Sequence, residues 1–380
     1  VNPQKVILLL GRRDEPVDGV VDYCEKLCKA GVSHGMSFEL VPTHWAEKGW
    51  RGAFAELRKA AADWRNKWVL LQFTTLAWSR RGFPLRAPRV LDIVKESGAR
   101  PAVIFHDFMP LHGLGIIGSI REYSHLRVLR QLYERSDLAI FTVPLDKISW
   151  LCSDRKKAVF IPVGANCSEA NLAIRDDPSN VKTVVVYSIT GGDQTSTEVA
   201  DVAIALKRAC KSVGQIRLLL FGRGSREAES ALRLELAGAD VEIESLGLIS
   251  PVEVRNSLSR SDVQLFVRGH ISTRRGSAIA AIACGLPIVC YSGPETTWPI
   301  TEAGILAVPY GKRDALAKAL EIVLRDDRLR RTLAERSRDA YEKYFSWAAI
   351  TEQFAEALST IPTKNEIDLT KKLDNAIQNK

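Results

Sequence analysis

Little in this sequence announces chemistry directly, and its absences narrow the field first. None of its seven cysteines forms a Cys-x-x-Cys pair. Cys24 and Cys28 fall one helical turn apart on a face expected to be buried, while Cys152, Cys167, Cys210, Cys284 and Cys290 are scattered. An odd, dispersed set argues against a disulfide framework and fits reduced core thiols in a cytosolic protein. No basic start leads into an apolar run, and no apolar stretch reaches about 18 residues, so neither a leader nor a spanning helix is expected. The motifs Gly-x-Ser-x-Gly, Gly-x4-Gly-Lys-Ser/Thr and His-Glu-x-x-His are missing, which removes serine hydrolases, P-loop NTPases and zincins. His34, His44, His112, His125 and His270 have no metal-ligand spacing, so no bound metal is expected. Neither an internal repeat nor a low-complexity tract occurs.

What is present suits a two-domain globular protein. A chain of 380 residues, 46% apolar, can bury two cores of ordinary size. The net charge of +8 lies mostly before residue 180. Such an excess favours anionic partners: nucleotide diphosphates, nucleic acid or a membrane face. Nucleic acid is disfavoured, because the basic residues are dispersed and no basic module rich in stacking residues is evident.

Short apolar runs alternate with longer amphipathic ones, the pattern of α/β layering. Strands are expected at Lys5–Gly11, Met36–Val41, Trp68–Thr74, Pro101–His106, Leu138–Val143 and Ala158–Val163. Helices are expected up to Ala30, around the stripe Trp50, Phe54, Leu57, Ala61, Trp64 and Trp68, whose last member also opens an expected strand, and near 86–97, 118–134 and 145–152. The tryptophan stripe fits a core better than a membrane face. Residues 107–117 are too irregular for either element. A polar stretch through Pro178-Ser179-Asn180 is the best linker, giving a first domain at 1–165 and a linker at 166–180. A second α/β run follows, with strands at Val181–Ser188, Ile216–Phe221, Val241–Leu246, Val263–Val267 and Ile288–Cys290. Its helices fall at 195–212, 226–237, 251–259 and 277–284, and 313–358 is helical and free of Gly and Pro.

Several segments point to an anionic ligand. Ser272-Thr273-Arg274-Arg275-Gly276-Ser277 places two guanidinium groups just ahead of a small-residue helix. Unbonded amides at a helix start already favour an anion, and adjacent arginines sharpen that preference towards a diphosphate. Gly222-Arg223-Gly224 follows an apolar strand, but Glu227 replaces the third glycine of a dinucleotide fingerprint, so hydride transfer is disfavoured. Gly191-Gly192, before the run Thr195-Ser196-Thr197, could hold a phosphate or simply turn the chain. His106-Asp107 ends a strand where open α/β sheets bind ligands, and a structural histidine is the alternative.

These pieces, in this order, resemble the retaining glycosyltransferases of family GT4, with the GT-B fold. Ile161-Pro162-Val163-Gly164-Ala165-Asn166 resembles the family's segment closing the first domain. Leu219–Gly224, Leu246–Ile249 and Ser261–Val263 resemble strand ends lining the nucleotide site, and Ala281–Val289 resembles the segment after the family's acidic signature. Phe345-Ser346-Trp347 resembles the turn that returns the chain to the first domain. The resemblance implies two Rossmann-like domains facing a cleft: an acceptor domain at 1–165, a donor domain at 181–345, a returning helix at 346–361 and a polar tail at 362–380.

By resemblance, Gly247, Leu248 and Ile249 contact the base, with Gly222, Arg223 and Gly224 nearby. Gly191, Gly192, Gly276 and Ser277, with Ser272 and Thr273 beside them, hold the diphosphate. His106 reaches the donor sugar with Asp107 beside it, and Gly19 approaches the reaction centre. The family's two glutamates, seven residues apart between them, fall at Ser272 and Ala280, so both carboxylates are gone. Its diphosphate-clamping Arg and Lys are not recognisable in 188–195, and Arg274 and Arg275 are expected to supply that charge. What is implied is transfer from a nucleoside-diphosphate sugar, UDP-linked ahead of GDP-linked, with no tightly bound cofactor and no metal. The acceptor is a saccharide, a lipid-linked sugar or a natural product, and the basic first half is compatible with peripheral membrane contact. The alternative implied by the lost glutamates is a GT-B-shaped protein that binds nucleotide sugar, or a partner, without turnover.

Overall fold

The computed structural model describes residues 4–13, 18–111, 115–152, 155–165 and 181–360. The expected linker at 166–180, Cys167, His112 and the tail from 362 lie outside the described residues. The chain divides into two units, Val1–Ile161 with Ile350–Lys380, and Pro162–Ala349.

The first unit is built on six parallel strands: β1 (Gln4–Leu10), β2 (Met36–Pro42), β3 (Trp68–Phe73), β4 (Arg100–Phe105), β5 (Leu138–Phe141) and β6 (Ala158–Phe160). Their order is β2-β1-β3-β4-β5-β6. Helices cover both faces of such a sheet, which is why Val6–Leu10, Trp68–Phe73 and Leu138–Phe141 are unbroken buried runs. The tryptophan stripe is core, as its spacing indicated: Leu57, Ala61 and Trp64 are buried among Val69, Leu71 and Val94. The helix Trp347–Thr360 joins this unit from Ile350 onward. Within the unit the buried Trp68 indole donates to the Leu358 carbonyl at 3.1 Å, and His34 Nδ1 lies 3.1 Å from Thr351 Oγ1.

The second unit repeats the plan with β7 (Lys182–Tyr187), β8 (Ile216–Phe221), β9 (Val241–Gly247), β10 (Val263–His270), β11 (Ile288–Ser292) and β12 (Ile305–Pro309). The order β12-β11-β10-β7-β8-β9 is again wholly parallel. Strand β12 has no counterpart among the expected strands. It follows Gly304, a position where a Cβ would meet the Leu333 carbonyl oxygen at 1.7 Å, and its half-exposed edge residues give no buried run to recognise.

Two helix expectations change on inspection. Residues 145–152 make only a single 3-10 turn, Leu145–Lys147. Trp150 is instead drawn onto Phe105, Phe141 and Tyr133, with its indole donating to the Phe108 carbonyl at 2.6 Å, and this anchoring outweighs local helix preference. The segment 313–358 is interrupted: helices Arg313–Arg325 and Asp327–Ala340 are separated at Asp326, whose carboxylate caps the second by accepting from the Leu329 amide. A π-helical turn, Tyr341–Phe345, leads to an extended Ser346 before Trp347–Thr360 begins.

Candidate functional site

In an open parallel sheet, ligands gather outside the carboxyl ends of the strands where the strand order reverses. In the second unit that reversal lies between β7 and β10. Pairing between β10 and β11 shifts there, from Phe266 opposite Cys290 directly to His270 opposite Tyr291. The extra residues form a bulge containing Gly269 at φ +68°, and a bulge of this kind re-aims a side chain at a sheet edge. Arg268 sits in it, with Nε 3.5 Å from Thr190 Oγ1 on the loop after β7. Sequence reasoning ended this strand at Val267 and missed Arg268. The available signal was a lone arginine continuing an apolar run into a glycine.

Arg223 and Arg275 interact electrostatically with Arg268, and Arg274 interacts with Arg275. Burial lowers the pKa of Arg268, Glu198 opposes that shift and Arg223 adds to it. Burial, then Arg274 and Arg268, bring Arg275 down to about 10, with Glu295 and Glu198 opposing. Among the described residues, Arg275 Nε is buried without a hydrogen-bond partner. The local carboxylates are already engaged. Glu198 is buried and accepts from the Thr190 amide at 2.7 Å. Glu295 accepts from Arg274 at 2.8 and 3.1 Å. Arg274 and Arg275, adjacent in sequence, thus have different tasks, one tied to Glu295 and the other with an open donor.

Arg275 is also the N-cap of the helix Gly276–Ala283, with no side-chain cap. The amides of Ala278 and Ile279 bond back to the Arg275 carbonyl, whereas Gly276 and Ser277 occupy the first turn, where amides have no acceptor within the helix. This start therefore combines a partial positive charge with a buried arginine.

The remaining expected donor residues divide into open and packed positions. Gly191 and Gly192 are exposed, and an added Cβ would meet nothing within 4 Å. Leu248 is exposed and Ile249 half-buried at the end of β9. Gly222 and Gly224, at φ +89° and +70°, are held by close approach of the loop after β7. A Cβ would lie 2.4 Å from Ser188 Oγ at Gly222 and 2.3 Å from the Ile189 carbonyl oxygen at Gly224. Arg223 between them bonds through its carbonyl to the Ile189 amide at 2.9 Å, while the Gly247 carbonyl accepts from Gly222. The backbone here is fixed by the turn itself. Ser272 and Thr273 are wholly buried, and the Thr273 carbonyl accepts from the Val163 amide at 3.3 Å. Ala280 lies in the apolar cluster with Ile279 and Ile282, so its environment has no place for a carboxylate.

On the first unit, His106 follows β4 and its Nε2 lies 2.9 Å from Oε1 of the buried Gln72. The edge of its ring packs against Tyr23, with centroids 5.2 Å apart. Burial lowers its pKa to about 4 although Asp107 and Asp18 pull the other way, so the ring is neutral near pH 7. Asp107 accepts from the Thr75 amide at 2.8 Å, which fixes the strand-end loops to each other. Gly19 opens the helix Gly19–Gly31, but its amide end is already capped: Asp18 accepts from Val20 and Val21 at 2.9 and 3.2 Å. Among the described residues no group of three or more His, Cys, Asp or Glu side chains is placed to hold a metal ion.

Residues 196–340, all within the second unit, match the family Glycosyl transferases group 1, in the half of the chain where the sequence resemblance is most specific. No curated protein sequence matches the chain. Among solved structures, Anabaena Alr3699/HepE in complex with UDP and glucose is 16% identical, with a TM-score of 0.64 over 94% of this chain and 100% of that one. Sucrose-phosphate synthase from Thermosynechococcus elongatus is 18% identical, with a TM-score of 0.64 over 98% and 100%. A structure named as a putative UDP-N-acetylglucosamine 2-epimerase, from Listeria monocytogenes, is 10% identical, with a TM-score of 0.61 over 94% of this chain and 96% of that one. At such identities the likeness establishes the GT-B fold, which transferases and an epimerase share.

Proposed function

We propose that this protein is a retaining glycosyltransferase that takes its sugar from a nucleoside diphosphate, UDP ahead of GDP. The observation carrying this reading is the convergence of Arg268 and Arg275 at the switch point of the second sheet, beside an uncapped helix start. The positive charges of Arg223, Arg268 and Arg275 act on one another here, while Glu198 accepts from the Thr190 amide and Glu295 is held by Arg274, which leaves positive charge for a diphosphate. In the proposed step the bond from the anomeric carbon to the phosphate oxygen breaks. The acceptor oxygen bonds to that carbon on the same face, and its proton passes to the departing diphosphate. Arg268, Arg275 and the amides of Gly276 and Ser277 stabilise the charge growing on the phosphates, the electrostatic effect that dominates many enzymatic rate enhancements. His106, neutral and held by Gln72, is the proposed sugar-orienting group of the first unit.

A second reading has its own support. The buried, apolar setting of Ala280 removes one carboxylate that the family resemblance would place on the ribose, which favours a donor-binding protein without turnover. Calorimetric titration with UDP, GDP, ADP and dTDP separates the possibilities when paired with a sugar-transfer screen using whichever nucleotide binds. The transferase reading expects one nucleotide to bind selectively and its sugar to be consumed. Binding with no transfer to any acceptor leaves the second reading, and no binding of any nucleotide overturns both.

A further inference from the structure

The helix Gly115–Arg135 buries one face and leaves a large apolar stripe on the other. His125, Val128, Leu129 and Leu132 enter the first unit's core. Its outward residues should be polar, and in the first two turns they are not. Ile116 is 81% exposed, Ile117 68%, Ile120 56% and Tyr123 70%. Ile116, Ile120 and Tyr123 lie at i, i+4 and i+7, and Arg127 continues the same stripe a turn later. Leu111 and the loop 80–86 adjoin it. A Cβ at Gly82 would lie 3.2 Å from Arg121 Cδ and 3.3 Å from Leu111 Cδ1, and the Arg121 guanidinium lies 5.5 Å from the centre of the Phe83 ring. The loop is held in place: buried His125 accepts from the Leu111 amide at Nδ1, so its Nε2 carries the proton donated to Thr75 Oγ1 at 2.8 Å.

The charge along these segments is predominantly positive. Residues 75–86 carry Arg80, Arg81 and Arg86 with no carboxylate, and residues 115–130 carry Arg121, Arg127 and Arg130 against Glu122 alone. We propose that this face, the stripe Ile116-Ile117-Ile120-Tyr123 with Arg81 and Arg86 beside it, docks the protein on an anionic phospholipid surface. Aliphatic side chains and a tyrosine enter the headgroup boundary while arginines meet the phosphates, the composition of an interfacial helix. Such a helix lies on the membrane, and among the described residues no helix is long and apolar enough to cross one. Arginine also occurs in protein interfaces, but the local excess of Arg80, Arg81, Arg86, Arg121, Arg127 and Arg130 over the lone Glu122 is the charge that a sheet of phosphates complements. The proposal is independent of the donor site.

The test is co-sedimentation of the full chain with vesicles of phosphatidylcholine, alone or mixed with phosphatidylglycerol. Binding to the mixed vesicles is expected, falling with added salt. The variants Ile116→Asp/Ile120→Asp and Arg81→Glu/Arg86→Glu should each bind at least about tenfold more weakly. All four side chains are exposed, so circular dichroism and Tm should match the wild type. Wild-type protein that ignores the mixed vesicles, or isoleucine variants that bind as well as it does, overturns the proposal. So does a wild-type dimer in sedimentation that the isoleucine variant renders monomeric, because the stripe would then cover a second copy.

Discussion

Arg274 is held by Glu295 through a two-pronged hydrogen bond, Nε to Oε2 at 2.8 Å and Nη2 to Oε1 at 3.1 Å. His270 Nε2 stands 3.6 Å from the same carboxylate. A fork of this kind fixes the guanidinium plane as well as its charge. It also keeps Arg274 from competing with Arg275 for an incoming anion, so neighbouring arginines in one motif are separated by a residue that sequence adjacency gives no hint of.

Burial by itself would raise the pKa of Glu295, but the nearby His270 ring and the hydrogen bonds and charge of Arg274 outweigh it and hold the carboxyl well below its ordinary 4.5. A carboxylate with a depressed folded pKa adds stability above its unfolded value and loses it as pH falls through the folded one. Glu295→Gln should therefore cost about 2 kcal/mol at pH 7, with the gap from wild type closing below about pH 4. Urea denaturation at several pH values measures both.

Arg268 and Arg275 are expected to carry the diphosphate. Replacing either by Ala removes a charge-assisted hydrogen bond, which should weaken nucleoside diphosphate binding by about 2 kcal/mol, roughly thirtyfold. Arg274→Ala should act less on affinity and more on stability, because it strands Glu295. Calorimetry and thermal denaturation on the three variants distinguish these effects.

His106 has a folded pKa lowered from 6.5 to about 4. The unfolded chain binds more protons between those values, so stability rises with pH across that window and falls as the medium is acidified. Burial shifts His125 in the same direction. His106→Gln should give a shallower fall between about pH 6.5 and 4, with part of the slope retained through His125. Ring-proton NMR of the wild type should show His106 neutral until about pH 4, and a titration near 6.5 would contradict it.

The glycines divide sharply. Gly224→Ala places a Cβ 2.3 Å from a carbonyl oxygen at a position with φ +70°, and should cost about 2 kcal/mol or more. Gly191→Ala, at φ −75° with nothing near, should change stability by less than about 0.5 kcal/mol. Tm measurements on the pair test whether each glycine belongs to the fold or lies at an open surface.

Within the second unit, Gly164 lies against the Trp347 ring, 2.8 Å from a notional Cβ, and the buried indole donates to the Ala165 carbonyl at 2.8 Å. Trp347→Phe should leave that carbonyl unbonded and cost about 1–3 kcal/mol, read by chemical denaturation.

The sequence determined the layering of this protein by itself. Buried parallel strands must be apolar on both faces, so runs such as Val6–Leu10 and Leu218–Phe221 mark their own positions, and helical spacing places the tryptophan stripe in the core. It also marked the arginine pair, because a helix start beside two guanidinium groups is a local feature. Tertiary structure decided the rest. Strand β12 is an edge with no continuous buried run, and Trp150 follows distant ring contacts instead of helix preference. The roles of the arginines required the bulge in β10, which brings Arg268 beside Thr190, and the turn after β11, which brings Glu295 to Arg274. Those pairings join residues 78 and 21 positions apart along the chain. Local pattern records which face a side chain takes, but only the packed sheet decides which distant charge it meets.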